Sequence, residues 1–153
     1  MKQLPYIQTS TAIIGYSESL IAKNESNDCF VRAVASSFDC PYDTAHAWVK
    51  EKFNREDRKG TKWAVCKMAT MSSHGQTFNE KSIKVVSNLL TIDSKKNRVK
   101  RTTLNQFIKK YPTGTYILIV RGHAFTLKDG SVIGNTSDAK SLKKIVHDAF
   151  EIK

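Results

Sequence analysis

Apolar residues recur at helical spacing between positions 29 and 38: Phe30, Val31, Ala33, Val34, Ala35 and Phe38, with Asn27 and Asp28 just ahead as cap candidates. This pattern predicts a mostly buried helix with Cys29 in its first turn. A second stripe, Ala45, Trp48, Val49 and Phe53, predicts a helix from about Asp43, with His46, Lys50 and Glu51 facing away from the core. Asp39-Cys40-Pro41 joins the two as a helical hairpin. Further on, Thr103 followed three residues later by Gln106 matches a capping box for a short helix with Leu104, Phe107 and Ile108 on its apolar face, ended by Tyr111-Pro112.

The run Thr115–Val120 is apolar on both parities, which predicts a central strand covered on both faces. His123 to Leu127, the turn signal Lys128-Asp129-Gly130, and Ser131 to Asn135 then read as a β-hairpin. Two stretches are less definite. Residues 1–26 suggest an extended arm or short strand, and residues 54–101 run from a polar start through an unassigned middle to an amphipathic piece at Ile83 to Leu90. Helices first and an antiparallel sheet afterwards make an α+β arrangement, expected as one domain over 1–153.

Length agrees, since 153 residues suit one core. No apolar run is long enough to cross a bilayer, and MKQLPYIQTSTAIIGYSESL lacks the features of a secretory signal. A soluble protein of a reducing, cytoplasmic compartment is expected. Three cysteines, Cys29, Cys40 and Cys66, include no CxxC pair and have no histidines at metal-ligand spacing, so neither a disulfide framework, a metal nor any other cofactor is expected. The formal net charge of +11 allows nucleic acid or an acidic partner. Its densest stretch, Ser94 to Arg101 (SKKNRVKR), has no interleaved aromatic residue to stack on bases and reads first as a solvated loop or helix face.

The candidate chemistry centres on Cys29. In the first turn of a helix, unpaired N–H groups and the positive end of the dipole stabilise a thiolate. Cysteine on an apolar helix is as commonly a core residue, and a lone histidine is commonly an ordinary surface group. The pairing of Cys29 with His123, which follows Gly122 at a strand start, is what points to nucleophilic catalysis. Asn135 then depends on the hairpin. A two-residue Asp129-Gly130 turn would set His123 opposite Thr136, whereas a three-residue Lys128-Asp129-Gly130 loop with a G1 bulge sets it opposite Asn135. The second register is expected, with Asn135 orienting the imidazole. The backbone N–H of Cys29, with the amide of Asn24 or Asn27, would form the oxyanion hole, although Asn27 also suits a cap. Cys66 and His74 form a weaker alternative pair, without strand or helix framing.

The segments NDCFVRAVASSFDCPYDTAHAWV and GTYILIVRGHAFTLKDGSVIGNTSD resemble the small papain-like cysteine peptidase-fold proteins of bacteriophages and bacteria. The resemblance implies N-terminal helices packed on a C-terminal antiparallel β-sheet. It also implies Cys29 as nucleophile, His123 as base and Asn135 as third member, with Asp138 ranked behind it. The oxyanion glutamine usual about six residues before the cysteine is Lys23 here, leaving Asn24 to serve. The implied activity is a peptidase or isopeptidase acting on a protein or peptide amide, in a host-cell cytoplasm or a virion. Acyl transfer by the same thiol is the related alternative. A catalytically silent interaction or virion-associated protein, touching nucleic acid through its basic surface, is the alternative of a different class.

Overall fold

The apolar run at 115–120 becomes the middle strand of a seven-stranded sheet. A computed structural model describes residues 4–153. In chain order the elements are β1 (Tyr6–Gln8), α1 (Thr9–Ala12), α2 (Leu20–Lys23), α3 (Cys29–Ser37), α4 (Tyr42–Phe53), α5 (Ala64–Ser73), β2 (Thr77–Phe78), β3 (Lys81–Val85), β4 (Leu90–Asp93) and β5 (Arg98–Arg101). There follow α6 (Leu104–Lys110), β6 (Thr115–Val120), β7 (His123–Lys128), β8 (Ser131–Gly134), a 3-10 turn (Thr136–Ala139) and β9 (Asp148–Ile152). The arrangement is α+β.

The sheet runs β1-β8-β7-β6-β9-β3-β2, while β4 and β5 form a separate two-stranded hairpin. β1 lies parallel to β8 and the remaining pairings are antiparallel. The sheet is therefore mixed rather than purely antiparallel, and it draws β1 from the N-terminal arm and β2 and β3 from the middle of the chain. Backbone hydrogen bonding suffices to add such short strands, so they need little hydrophobic periodicity.

β6 shows why its sequence is apolar on both parities. Ile117 and Ile119 face a core built with α3, α4 and α5, whereas Tyr116, Leu118 and Val120 face a second core with Leu104 and Phe107 of α6. Burying each such side chain contributes about 1.5–3 kcal/mol. α3 packs across β7, and its Ser36 hydroxyl meets Thr126 of β7 at 2.7 Å in a fully buried contact. Thr126 also donates to the Ala33 carbonyl at 3.0 Å. Two polar side chains thus lock the cysteine-bearing helix to the histidine-bearing strand.

α4 begins at Tyr42 and buries Ala45, Val49 and Phe53 as its stripe requires. His46, expected to face away, is buried at 7% exposure, because Glu25 holds its ring at 2.6 Å. The capping box of α6 is present in both directions, Gln106 N–H to Thr103 Oγ1 and Thr103 N–H to Gln106 Oε1. The basic stretch Ser94–Arg101 forms the turn and second strand of the β4–β5 hairpin, not a helix face. Among the described residues no helix is long and apolar enough to cross a membrane.

The β7–β8 hairpin departs from the expected three-residue loop. Lys128 pairs with Ser131, leaving a two-residue turn in which Asp129 (φ 48°) and Gly130 (φ 79°) both adopt the left-handed conformation. Asp129 tolerates this because it is anchored. Its carboxylate accepts from the Gly114 N–H at 2.8 Å, and its own N–H donates to the Gly114 carbonyl at 2.9 Å. Asn135 consequently does not face His123 across the sheet.

Candidate active site

Asn27 (φ 52°) turns the chain sharply into α3, and Asp28 follows at the N-cap position without capping. The Asp28 carboxylate instead accepts from the Tyr42 hydroxyl at 2.7 Å and pairs with Arg32 at 3.3 Å. Cys29 is half-buried at the helix start, on the wall of an open cleft of about 770 Å³. His123 and Ala124 line the same cleft, beside the left-handed Gly122 that closes the reversal between β6 and β7. The structure thus brings Cys29 and His123 together, with thiol and imidazole in hydrogen-bond contact.

The third group on His123 is Asp138. Its Oδ2 accepts from His123 Nε2 at 2.9 Å and from the Asn135 backbone N–H at 2.7 Å. Asp138 is 2% exposed and lies in the 3-10 turn that brings the chain back beneath the imidazole. Gly134 makes room for it, since a Cβ there would sit 2.6 Å from Asp138 Oδ2 and 2.9 Å from Phe125 Cβ. With Nε2 engaged by Asp138, Nδ1 is the nitrogen left for the thiol.

Asn135 is therefore corrected from third member to support. Its side-chain oxygen accepts from Arg32 Nη1 at 3.0 Å, and Arg32 in turn holds Asp28 just ahead of Cys29. The physical reason is the hairpin register, which takes Asn135 out of the sheet before it can meet the imidazole. Asn24 also lies elsewhere: its amide donates to the Leu20 carbonyl at 3.1 Å, and it lines a separate cleft with Glu25 and His46. Asn27 does line the Cys29 cleft, with its amide donating to the Arg58 carbonyl at 3.1 Å. An amide has two N–H groups, so one remains for an oxyanion.

Burial alone would push the Cys29 thiol up, but the His123 imidazole, the Ala124 N–H and the Arg32 charge outweigh it and hold the thiol below its ordinary value. His123 is pushed up to about 9, first by its hydrogen bond to Asp138 and then by Cys29, against the effect of burial. Burial would likewise raise Asp138, yet His123, the Asn135 N–H and Lys144 bring it below its usual range. All three directions favour a thiolate–imidazolium pair over a buried Asp carboxylate. Cys40 is the contrast: burial, then Asp39, pushes its thiol up to about 11 and leaves it unreactive.

Cys66 and His74 do not form the alternative pair. Cys66 is exposed on the Cys29 cleft, while His74 caps the far end of α5 with Nδ1 on the Thr70 carbonyl at 2.8 Å. Glu25, His46 and Asp57 come within 4.8 Å of one another, a spacing that suits a cation. The Glu25 carboxylate is already occupied, however, by Arg55 at 2.8 and 3.1 Å, by His46 at 2.6 Å and by the Arg58 N–H at 2.7 Å. This cluster is an ion-pair network tying the segment ahead of Cys29 to the loop that forms the cleft wall.

Sequence reasoning missed Arg32 and Gly134, and placed Asp138 second. Arg32 carried a usable signal, being a lone charge one turn after Cys29 on an otherwise apolar helix. Compared with known proteins, the chain matches no family model, no curated protein and no solved structure.

Proposed function

We propose that the chain is a papain-like thiol hydrolase that cleaves a protein or peptide amide, with Cys29 as nucleophile, His123 as base and acid, and Asp138 as the group that orients His123. The observation that carries this is the chain Cys29, His123, Asp138, with a half-buried thiol at a helix N-terminus and a fully buried carboxylate behind the imidazole. The order of elements supports it too: a cysteine helix packed against antiparallel strands that carry the histidine and lead to the acid.

In this mechanism the Cys29 thiolate attacks the amide carbonyl carbon, forming a C–S bond and an oxyanion. The Cys29 N–H and the Asn27 amide face that oxyanion. The tetrahedral species collapses, the C–N bond breaks, and His123 gives its proton to the leaving amine. Water then adds to the thioester with His123 as base, releasing the acid and regenerating the thiol. Asp138 stays ionised throughout and holds the ring.

Alkylation by iodoacetamide across pH, read by mass spectrometry at each cysteine, tests the reading. Cys29 should react at neutral pH well ahead of Cys66, an exposed thiol in the same cleft, and His123→Ala should abolish the difference. Equal rates at Cys29 and Cys66, both rising only at alkaline pH, would overturn it.

A further inference from the structure

A second lobe of about 640 Å³ adjoins the cleft, sharing Val120 and His123 with it, and Cys29 does not line it. Its walls come from the β6–β7 turn, the 3-10 turn after β8, the approach to β9 and the end of β5. Arg101, Arg121 and Lys144 line it, with His147 beside them. Its one acid is Asp138, already committed to His123 at 2.9 Å and to Lys144 at 3.4 Å. Among the described residues Arg101 and Arg121 form no ion pair. The Cys29 lobe has the same bias, with Arg58, Lys59 and Lys62 on its wall and no acid.

The chemistry gives the second lobe a direction. The carbonyl carbon must reach the Cys29 sulfur, and the departing nitrogen must receive its proton from His123. The substrate on the amine side of the bond therefore runs past His123, into the lobe without the thiol. We propose that this lobe is the amine-side subsite and that it takes an acidic segment, so the substrate is an amide followed by Asp or Glu residues. This rests on the thiol hydrolase reading above.

Two further features select a peptide over another polyanion. No Phe, Tyr or Trp lines the lobe to give successive bases a broad stacking platform, while arginine forks pair with carboxylates. Arg101 also pairs with Leu90 in the β4–β5 hairpin, and the pleat carries Ile92 and Val99 onto the same face, all three apolar side chains exposed. A segment that meets Arg101 can continue along this apolar strip, which a mixed acidic and apolar peptide matches.

Protection of Cys29 from iodoacetamide, measured on the full chain, tests the proposal with three competitors. These are a capped peptide alternating Glu and Ala, its Lys counterpart, and a single-stranded thymidine oligonucleotide of equal charge. The Glu peptide should protect, the Lys peptide should not, and R101E/R121E should raise the half-protecting concentration at least about tenfold. K109E/K110E, the same charge change on α6 away from either lobe, should leave protection as in the unaltered chain. Melting temperatures confirm that both variants fold.

Equal protection by Glu and Lys peptides, no protection by either, or an equal loss in both variants would overturn the proposal. An oligonucleotide effective below the Glu peptide's concentration would also overturn it, assigning the lobe to nucleic acid. Failure of the hydrolase reading is read separately, from the Cys29 rate without competitor: if it does not exceed that of Cys66, the nucleophile is wrong whatever the lobe binds.

Discussion

Asp138 Oδ2 lies 2.9 Å from His123 Nε2, and it is fully buried where Asn135, three residues earlier, is exposed. Asp138→Asn keeps the shape but removes the charge that holds the imidazolium. We expect amide hydrolysis to fall by about 10²- to 10⁴-fold. Asn135→Ala, which keeps the backbone N–H to Asp138 and loses only the contact to Arg32, should cost less than about tenfold. Steady-state rates of the two variants check the assignment, and the reverse ranking would restore Asn135 as the third member.

The pH profile follows from the same contact. Activity should rise on the acid side as Cys29 ionises, below the ordinary thiol range, and fall on the alkaline side as His123 loses its proton near 9. Asp138→Asn removes the largest effect raising His123, so the alkaline limb should move to lower pH. For stability the sign is that of a raised base. The contribution of charged His123 is complete below its unfolded value of 6.5 and is lost as pH rises through about 9. Denaturant titrations from neutral to alkaline pH should show that loss, and Asp138→Asn should flatten it.

Gly134 tests how closely the acid is seated. Its backbone conformation is open to other residues, yet a Cβ would lie 2.6 Å from Asp138 Oδ2. Gly134→Ala should therefore displace the carboxylate and lower hydrolysis at least about tenfold. Trimming Asn135 or Ser137 should not restore activity, because the clash is with Asp138 and with Phe125 Cβ. The pH dependence of Cys29 alkylation separates displacement from unfolding: a lower alkaline limb with an intact melting transition is the expected result.

The turn after β7 explains why the cysteine and histidine were legible in sequence while the acid ranked only behind Asn135. Cys29 heads a strongly periodic helix, and His123 adjoins a run apolar on both parities, so burial itself marks their places. Lys128-Asp129-Gly130 suits two turns that differ by one residue, and one residue moves every later side chain to the other face. What decides between them is the anchoring of Asp129 by Gly114, fifteen positions away and invisible to local pattern. The sequence predicts β1 only as an extended arm or short strand with no place in the sheet, and does not predict β3, for a different reason. β1 buries none of its three residues and β3 buries only Ile83, so backbone pairing rather than side-chain burial holds them. α5 buries only Met68 and Met71, too sparse a stripe to predict a helix.

Glu25 should contribute to the acid limb of stability. Burial would raise it, but Arg55, His46 and the Arg58 N–H lower it from 4.5 to about 2. A depressed carboxylate stabilises above its unfolded value and loses that contribution as pH falls, so the loss should run from about 4.5 down to about 2. The size is on the order of 3 kcal/mol. Denaturant unfolding of Glu25→Gln should show lower stability at neutral pH and a smaller decline across that window. An unchanged slope would mean that the network contributes little.

The buried pair Ser36 and Thr126 sets the placement of α3 on β7, and hence of Cys29 against His123. Thr126 donates to the Ala33 carbonyl at 3.0 Å and lies 2.7 Å from Ser36, whose single proton is shared between Thr126 and the Arg32 carbonyl at 2.9 Å. Thr126→Val is close to isosteric but leaves Ser36 without its cross-element partner, so a loss of about 1–3 kcal/mol is expected. Ser36→Ala alone strands the Thr126 hydroxyl less, because Ala33 still accepts from it, and should cost less. Removing both polar groups relieves the unpaired partner. The double variant should therefore be more stable than the sum of the single losses by about 0.5–3 kcal/mol, measured as a thermodynamic cycle. Hydrolysis should follow the geometry rather than the stability. The double variant, although partly rescued in folding, lacks any bond fixing helix to strand at this level, and should remain slow; full recovery of rate with stability would mean that packing alone positions the thiol.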